Sequence, residues 1–238
     1  MAEQDKGLRE SRTDETVKAL TEWIIDRGLR SGDLLPSESE LCAELGIGRN
    51  SLREAVRTLR ATGVLEVRHG AGTYVGVLTL QSLSDELLFH SRLGIADSTT
   101  YLRHLSEVRE ALEQGLVTNL IIDGHMPDVE RLTALLVLMD IEAKAGFISP
   151  ATDREFHEVL LAPLNNPVAT LLLQVFWRVF DELVAPKNEP TVAAKSADRH
   201  HAILLAVKST DARGARIAVR AHFEDLRVRL GMHEHSHE

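Results

Sequence analysis

A single cysteine, Cys42, stands in 238 residues. No internal disulfide can form, and the chain reads as one made for a reducing compartment. Long apolar runs are absent too. No stretch reaches the roughly 18 residues that a bilayer span requires, so no membrane partner is expected. The opening residues, MAEQDKGLRESRTDE, are polar and mixed in charge and do not read as a secretory signal. A cytoplasmic location is the expectation. Aromatics are scarce, with two Trp, two Tyr and six Phe, so any pocket is expected to hold few of them. Excess positive charge is also lacking. The formal net charge is −9, the wrong sign for a polyanion binder unless basic groups are gathered locally.

They are gathered locally. Residues 49–69 carry five Arg against Glu54 and Glu66, a net of +3. Around this segment the local signals fall in a fixed order. Residues 14–29 have Val17, Leu20, Ile24 and Ile25 at helical spacing, and Gly28 and Gly32 end the helix. Ser37 with Glu40 three residues on makes a capping-box pattern for a short helix through Leu45. Gly46-Ile47-Gly48 is a tight turn. A second helix is predicted from Arg49 to Thr62, stopped by Gly63. Two short helices across a glycine turn form a helix-turn-helix. Val64–Arg68 and Thr73–Val75 alternate around His69-Gly70-Ala71-Gly72, which predicts a β-hairpin wing.

At about 100° per residue, Leu52, Ala55, Val56 and Leu59 share one face of the second helix. Arg49, Arg53, Arg57 and Arg60 share another. Guanidinium groups suit both phosphates and the O6/N7 edge of guanine. The run LPSESEL–AELGIGRNSLREAVRTLRATGVLEVRHGAGTYV resembles the DNA-binding domain of the GntR family of bacterial regulators. The resemblance implies DNA contacts at Arg49, Asn50 and Arg53, with Arg57 further along the same stripe. It places His69 and Gly70 at the wing tip that enters the minor groove. Ser39 stands where many relatives have a basic residue, and Gly48 replaces a common Ser cap.

Beyond a connector at 77–98 with one short helix (Leu80–Leu88), the chain reads as helix after helix: 99–122, 127–145, 150–162, 166–184, 194–208 and 211–230. An antiparallel bundle follows. The fold class is therefore mainly α, a winged helix-turn-helix (12–76) followed by an all-helical domain (99–230). Residues 1–11 and 231–238 read as disordered ends. In the bundle, Arg109 interrupts the apolar stripe Leu102, Leu105, Leu112, Leu116. It is either salt-bridged to Glu113 or Glu110, or a clamp for a ligand carboxylate or phosphate. Asp153 and His157 share a helix face. His200 falls on the inward face set by Ile203, Leu204 and Val207, whereas His201 sits about 100° away. His222 lies with Ala218 and Val219. One carboxylate and three imidazoles directed into one bundle suit zinc, nickel or a related divalent ion. His233, His235 and His237 in the tail read as part of a disordered end.

The pattern D-x-x-x-H, a His before an Ile-Leu run, then R-A-H resembles the FCD ligand-binding domain of the FadR-like GntR branch. Arg199 stands where relatives usually have Glu. The resemblance implies metal ligands Asp153, His157, His200 and His222, an effector-facing Arg109, and a small organic-acid effector. It also implies a homodimer on near-palindromic operator DNA, acting as a repressor that the effector releases. No catalytic residue is expected. The rival reading is a metal-dependent hydrolase in the helical domain.

Overall fold

Local signals in the first residues of each element account for most of the architecture. In the computed structural model, which describes residues 2–93, 98–184 and 189–230, the chain divides into two units, Met1–Thr79 and Leu80–Glu238. The tail at 231–238 and its three histidines lie outside the described residues.

The first unit opens with α1 (Ala2–Asp26), followed by α2 (Glu38–Leu45) and α3 (Arg49–Ala61). Helix α1 takes in residues 2–11, which the sequence set apart as an unstructured arm. That run has no apolar periodicity but no proline either, and its Glu, Gln, Lys and Arg are good helix formers. At α2 the capping box is complete: the Ser37 hydroxyl accepts from the Glu40 amide, and the Glu40 carboxylate accepts from the Ser37 amide. Gly46 closes α2 at φ 66°, a left-handed position that glycine fills without strain. Helix α3 buries Leu52, Ala55 and Leu59 against Leu20 and Ile24 of α1 and Leu41 of α2.

Strands β1 (Leu65–Arg68) and β2 (Gly72–Val75) pair antiparallel in the register Leu65↔Val75 to Arg68↔Gly72. Segment 33–35 adds a third rung, since Leu35 N–H donates to Thr73 O and Val75 N–H to Asp33 O. Where the hairpin closes, Gly76 passes so near the end of α3 that a Cβ there would sit 2.0 Å from Gly63 O.

The second unit is helical throughout its described residues: α4 (Gln81–Leu93), α5 (Ser98–Ile122), α6 (Val129–Lys144), α7 (Pro150–Leu161), α8 (Pro167–Leu183), α9 (Pro190–Lys208), α10 (Ala212–His222) and α11 (Glu224–Arg229), with a short 3-10 turn at Ala162–Leu164. Helices α7, α8 and α9 each begin on a proline, whose missing N–H costs nothing in a first turn. Side chains of Ser149, Asn166 and Asp211 cap α7, α8 and α10. Helix α4 runs five residues past the expected Leu88, and α9 starts at Pro190 rather than 194. The expected run 211–230 is divided at Phe223, whose ring is buried at 2 % exposure. Helix α10 packs on α9 and α5, α6 on α9 and α7, and α4 on α8. Leu120, Leu132, Met139, Phe156 and Ile203 are wholly buried among them.

Of the glycines in the first unit, Gly76 leaves the least room for a Cβ. Gly76→Ala is expected to destabilise that unit by roughly 1–3 kcal/mol through overpacking. Urea unfolding of the full chain would show this as a lower midpoint for the first unit, with the second unchanged.

Candidate metal centre and nucleic-acid interface

Helix α3 sorts its residues as its period dictates. Leu52, Ala55 and Leu59 are buried, and Arg49, Asn50, Arg53, Arg57 and Arg60 are all exposed. In the free protein these guanidiniums have local partners. Arg53 Nε lies 3.0 Å from a Glu38 carboxylate oxygen, Arg57 Nη1 lies 2.9 Å from Glu54, and Arg49 reaches Ser39 Oγ at 3.5 Å. All are solvated contacts that a phosphate can replace at little cost. His69 and Gly70 are exposed at the wing tip, where Ala71 N–H donates to Arg68 O and Gly70 takes φ 72°. One wing cation escaped the sequence reading. Arg68 lies over the Tyr74 ring at 4.2 Å and is paired with Glu66 at 3.0 Å. The signal was the i,i+2 spacing of Glu66 and Arg68, which puts both on one face of β1.

In the second unit the four residues singled out as ligands come together from three helices. Asp153 and His157 come from α7, His200 from α9 and His222 from α10, and one donor atom of each lies within 4.8 Å of the others. His157 and His200 are fully enclosed, at 1 % and 0 % exposure. The neighbouring His201 is half-exposed and pairs instead with Asp140 at 3.1 Å.

Acceptor oxygens on the outer edges of two rings favour a proton on the nitrogen that faces away from the cluster. His200 Nδ1 lies 2.8 Å from Ser196 O, a carbonyl that can only accept, so the proton sits on Nδ1 and Nε2 carries a lone pair. His157 Nδ1 lies 2.9 Å from Glu113 Oε2, an ion-pair contact without hydrogen-bond alignment, and the carboxylate beside it favours a proton on that nitrogen. The inward atoms are then crowded. His157 Nε2 is 3.2 Å from His222 Nε2, and His200 Nε2 is 3.0 Å from Asp153 Oδ1 without hydrogen-bond alignment. Lone pairs facing one another at such distances repel unless a proton or a cation lies between them.

The charges agree. Burial alone would raise the Asp153 carboxyl, but His200, His157 and His222 hold it well below the usual carboxylate range. Burial and the two neighbouring imidazoles push His222 well below its ordinary value, keeping it neutral as a ligand must be. His157 runs the other way and is raised, because Glu113 and Asp153 outweigh its burial, so in the metal-free protein a proton on Nε2 stands where an ion would lie. The donor set fits a divalent transition ion.

Beside the cluster lies a cavity of about 190 Å³. Asp153 and His222 open onto it, as do Arg109, Ser196 and Asp181. Phe147, Trp177, Phe180 and Phe223 also line it, which corrects the expectation of few aromatics. Composition counts rings over the whole chain, and packing has concentrated them here. Of the two readings of Arg109, the structure has the salt bridge to Glu113. Arg109 is 6 % exposed and its Nε donates to Glu113 Oε1 at 2.7 Å, yet it still lines the cavity with its guanidinium over Phe223 at 5.2 Å. Glu110 pairs with Arg227 instead. Sequence reasoning missed the second arm of Glu113, which burial would raise but which His157 and Arg109 hold strongly ionised. It also missed Trp177, whose indole Nε1 is buried without a hydrogen-bond acceptor.

Comparison with known proteins places these two sites in a shared context. Residues 12–75 match the model described as bacterial regulatory proteins, gntR family, and residues 104–225 match the FCD domain. The HTH-type transcriptional regulator YcbG of Bacillus subtilis is 30% identical over 185 residues, covering 71% of this chain and 72% of that protein. The HTH-type transcriptional repressor NanR of Cronobacter sakazakii is 27% identical, covering 92% of this chain and 85% of its own length. A solved structure described as Streptococcus agalactiae GntR superposes with a TM-score of 0.68 at 26% identity, over 92% of this chain and 99% of that one.

Removing one inward imidazole tests the cluster. His157→Ala and His200→Ala are each expected to lower bound metal in the purified protein by roughly tenfold or more and to lower the melting temperature. His201→Ala, one residue away, is expected to leave both unchanged. Elemental analysis together with a thermal melt reads the difference, and equal metal in all four proteins would remove the assignment.

Proposed function

The chain belongs to the GntR family of bacterial regulatory proteins and carries an FCD domain, and from that membership we propose that it is a repressor whose grip on operator DNA is set by a small carboxylate-bearing effector held beside a metal ion. The observation that carries this reading is that one cavity is lined both by two members of the Asp153–His157–His200–His222 cluster, Asp153 and His222, and by the buried Arg109.

In the first unit, α3 is the element that enters the major groove. Arg49, Asn50, Arg53 and Arg57 supply donors to phosphates and base edges, and His69 and Gly70 carry the wing to the neighbouring minor groove. One such head reads one half-site, so the chain works as a homodimer on a near-palindromic operator. The setting is the cytoplasm, where operator DNA is found; no helix among the described residues is long and apolar enough to cross a membrane.

In the second unit, zinc is the ion favoured by a site of three imidazoles and one carboxylate, with nickel and neighbouring ions sharing that chemistry. When bound, the ion supplies a Lewis-acidic position that can hold a ligand oxygen. Arg109 meets the effector carboxylate with the part of its guanidinium not taken by Glu113. The aromatic walls exclude water and strengthen that contact. Size narrows the class of effector. An apolar cavity of about 150 Å³ holds a benzene ring, so a cavity of about 190 Å³ suits a compact acid rather than a long acyl chain.

Helix α8 provides the route outward. Trp177, Phe180 and Asp181 face the cavity, while Arg178 pairs with Asp85 at 2.7 Å and Glu182 with Arg92 at 2.9 Å, both partners on α4. Helix α4 is the first element after the DNA-binding unit. An effector that binds two positions of α8 unequally therefore shifts α4, and through it the spacing of the heads.

Two experiments test this reading. Operator retention is measured by gel shift against a panel of small organic acids: one acid is expected to release the wild type, and Arg53→Ala is expected to bind operator about tenfold or more weakly with its fold intact. Turnover of any acid in the panel would replace the reading with that of a metal-dependent enzyme. Separately, Arg178→Ala is expected to bind the releasing acid as the wild type does, by calorimetry, yet to need several-fold more of it to leave the operator; an unchanged release curve would remove α8 from the route.

A further inference from the structure

We propose that Glu113 is a positioning residue that couples the metal centre to the effector cavity, so that each site tightens when the other is filled. This rests on the metal-centre reading above. Glu113 sits on α5 at 2 % exposure, with a different partner on each oxygen. Oε1 accepts from Arg109 Nε at 2.7 Å, and Oε2 lies 2.9 Å from His157 Nδ1. Arg109 belongs to the cavity and His157 to the cluster, so one carboxylate touches the working groups of both.

The sign of the coupling follows from sharing one charge. Arg109 and His157 compete for the electron density of the same buried carboxylate, in surroundings where electrostatic contacts are poorly screened. An anion arriving at Arg109 takes over part of the guanidinium's attention. Glu113 then draws harder on the His157 Nδ1 proton, and a ring so polarised is a stronger donor at Nε2. In reverse, a cation at Nε2 makes the Nδ1 proton more acidic and binds Glu113 more firmly, leaving more positive charge on Arg109 for an anion. Linkage requires the two effects to be equal.

An amide at position 113 breaks this arrangement in a definite way. With its oxygen accepting from Arg109, its NH₂ faces His157 Nδ1. That nitrogen must then accept, which moves the ring proton to Nε2 and blocks the ligand position.

The test uses the full chain, stripped with a chelator and titrated with zinc against a chromophoric competitor, with no organic acid present. Glu113→Gln is expected to weaken zinc binding about 10–100-fold. Arg109→Gln is expected to strengthen it several-fold, since the carboxylate then serves His157 alone. That gain is expected to vanish in the double variant, whereas a through-space repulsion between Arg109 and the ion would persist there. Glu113→Asp is the second variant, should the amide fail to fold. It keeps the charge, but one methylene shorter it cannot span both partners, and a zinc affinity below wild type is expected. Wild-type affinity in Glu113→Gln or in Glu113→Asp overturns the proposal, as does an equal gain from Arg109→Gln in both backgrounds. A wild-type chain that takes up no zinc ends the zinc-centre reading and this inference together. Zinc binding retained in Glu113→Gln ends the inference alone.

Discussion

Glu113, Asp153, His157, His200 and His222 are gathered in the interior of one helical bundle. Three of them are at most 2 % exposed, and burying such groups without partners is costly. The interior must satisfy them with one another or with a cation. The outer rim does the first. Ser196 O holds His200 and Glu113 lies against His157, which favours protons on the outward nitrogens. The centre is left with a carboxylate and imidazole nitrogens in close approach. The helices around it are arranged to keep those donors converged: α7, α9 and α10 each contribute to the cluster, and α5 closes it from behind through Glu113.

The same economy appears at Arg109. An isolated buried guanidinium would be untenable, but one anchored at Nε by Glu113 and surrounded by Phe223, Trp177 and Phe180 is held in place by contacts on several sides. Because the carboxylate that anchors it also lies against the His157 imidazole, the cavity and the cluster share one buried charge. Helix α8 then connects this interior to the surface. Its cavity face is aromatic, and its opposite side is paired with α4 by ions that remain solvated. Solvated pairs hold geometry weakly.

The head was readable almost element by element because its signals are local. A capping box spans three residues, a glycine stop is one residue, and the apolar and basic faces of α3 follow from its period alone. The interior of the bundle was readable only in part. Facial arithmetic turned His200 inward and His201 outward, as the burial of the two rings shows. It directed one carboxylate and three imidazoles into one bundle, which already suited a metal ion, and the resemblance then implied that these four are its ligands. The i,i+4 spacing of Arg109 and Glu113 exposed one arm of Glu113, while the other reaches His157, 44 residues away in the chain, and left no trace in any window. The aromatic lining of the cavity was missed for the same reason. Its rings come from α8, the α10–α11 junction and the segment before α7, and only tertiary packing assembles them.

The acidic balance of the chain, −9 overall, then becomes understandable. A protein of this kind has to bind one polyanion at one place and avoid binding it elsewhere. Long-range attraction is screened beyond about 8–10 Å at physiological salt. A row of four arginines on α3 therefore acts locally, whatever the net charge of the rest. Even these arginines are held in check, since Glu38 and Glu54 pair with Arg53 and Arg57 in the free protein. Such contacts subtract from every duplex equally, because phosphates are the same everywhere. Base-edge hydrogen bonds, which differ between sequences, have to repay that loss. Internal acid partners thus lower affinity for every duplex by the same factor, and only a site whose base edges add further hydrogen bonds stays tightly bound; an acidic surface elsewhere on the chain acts in the same direction.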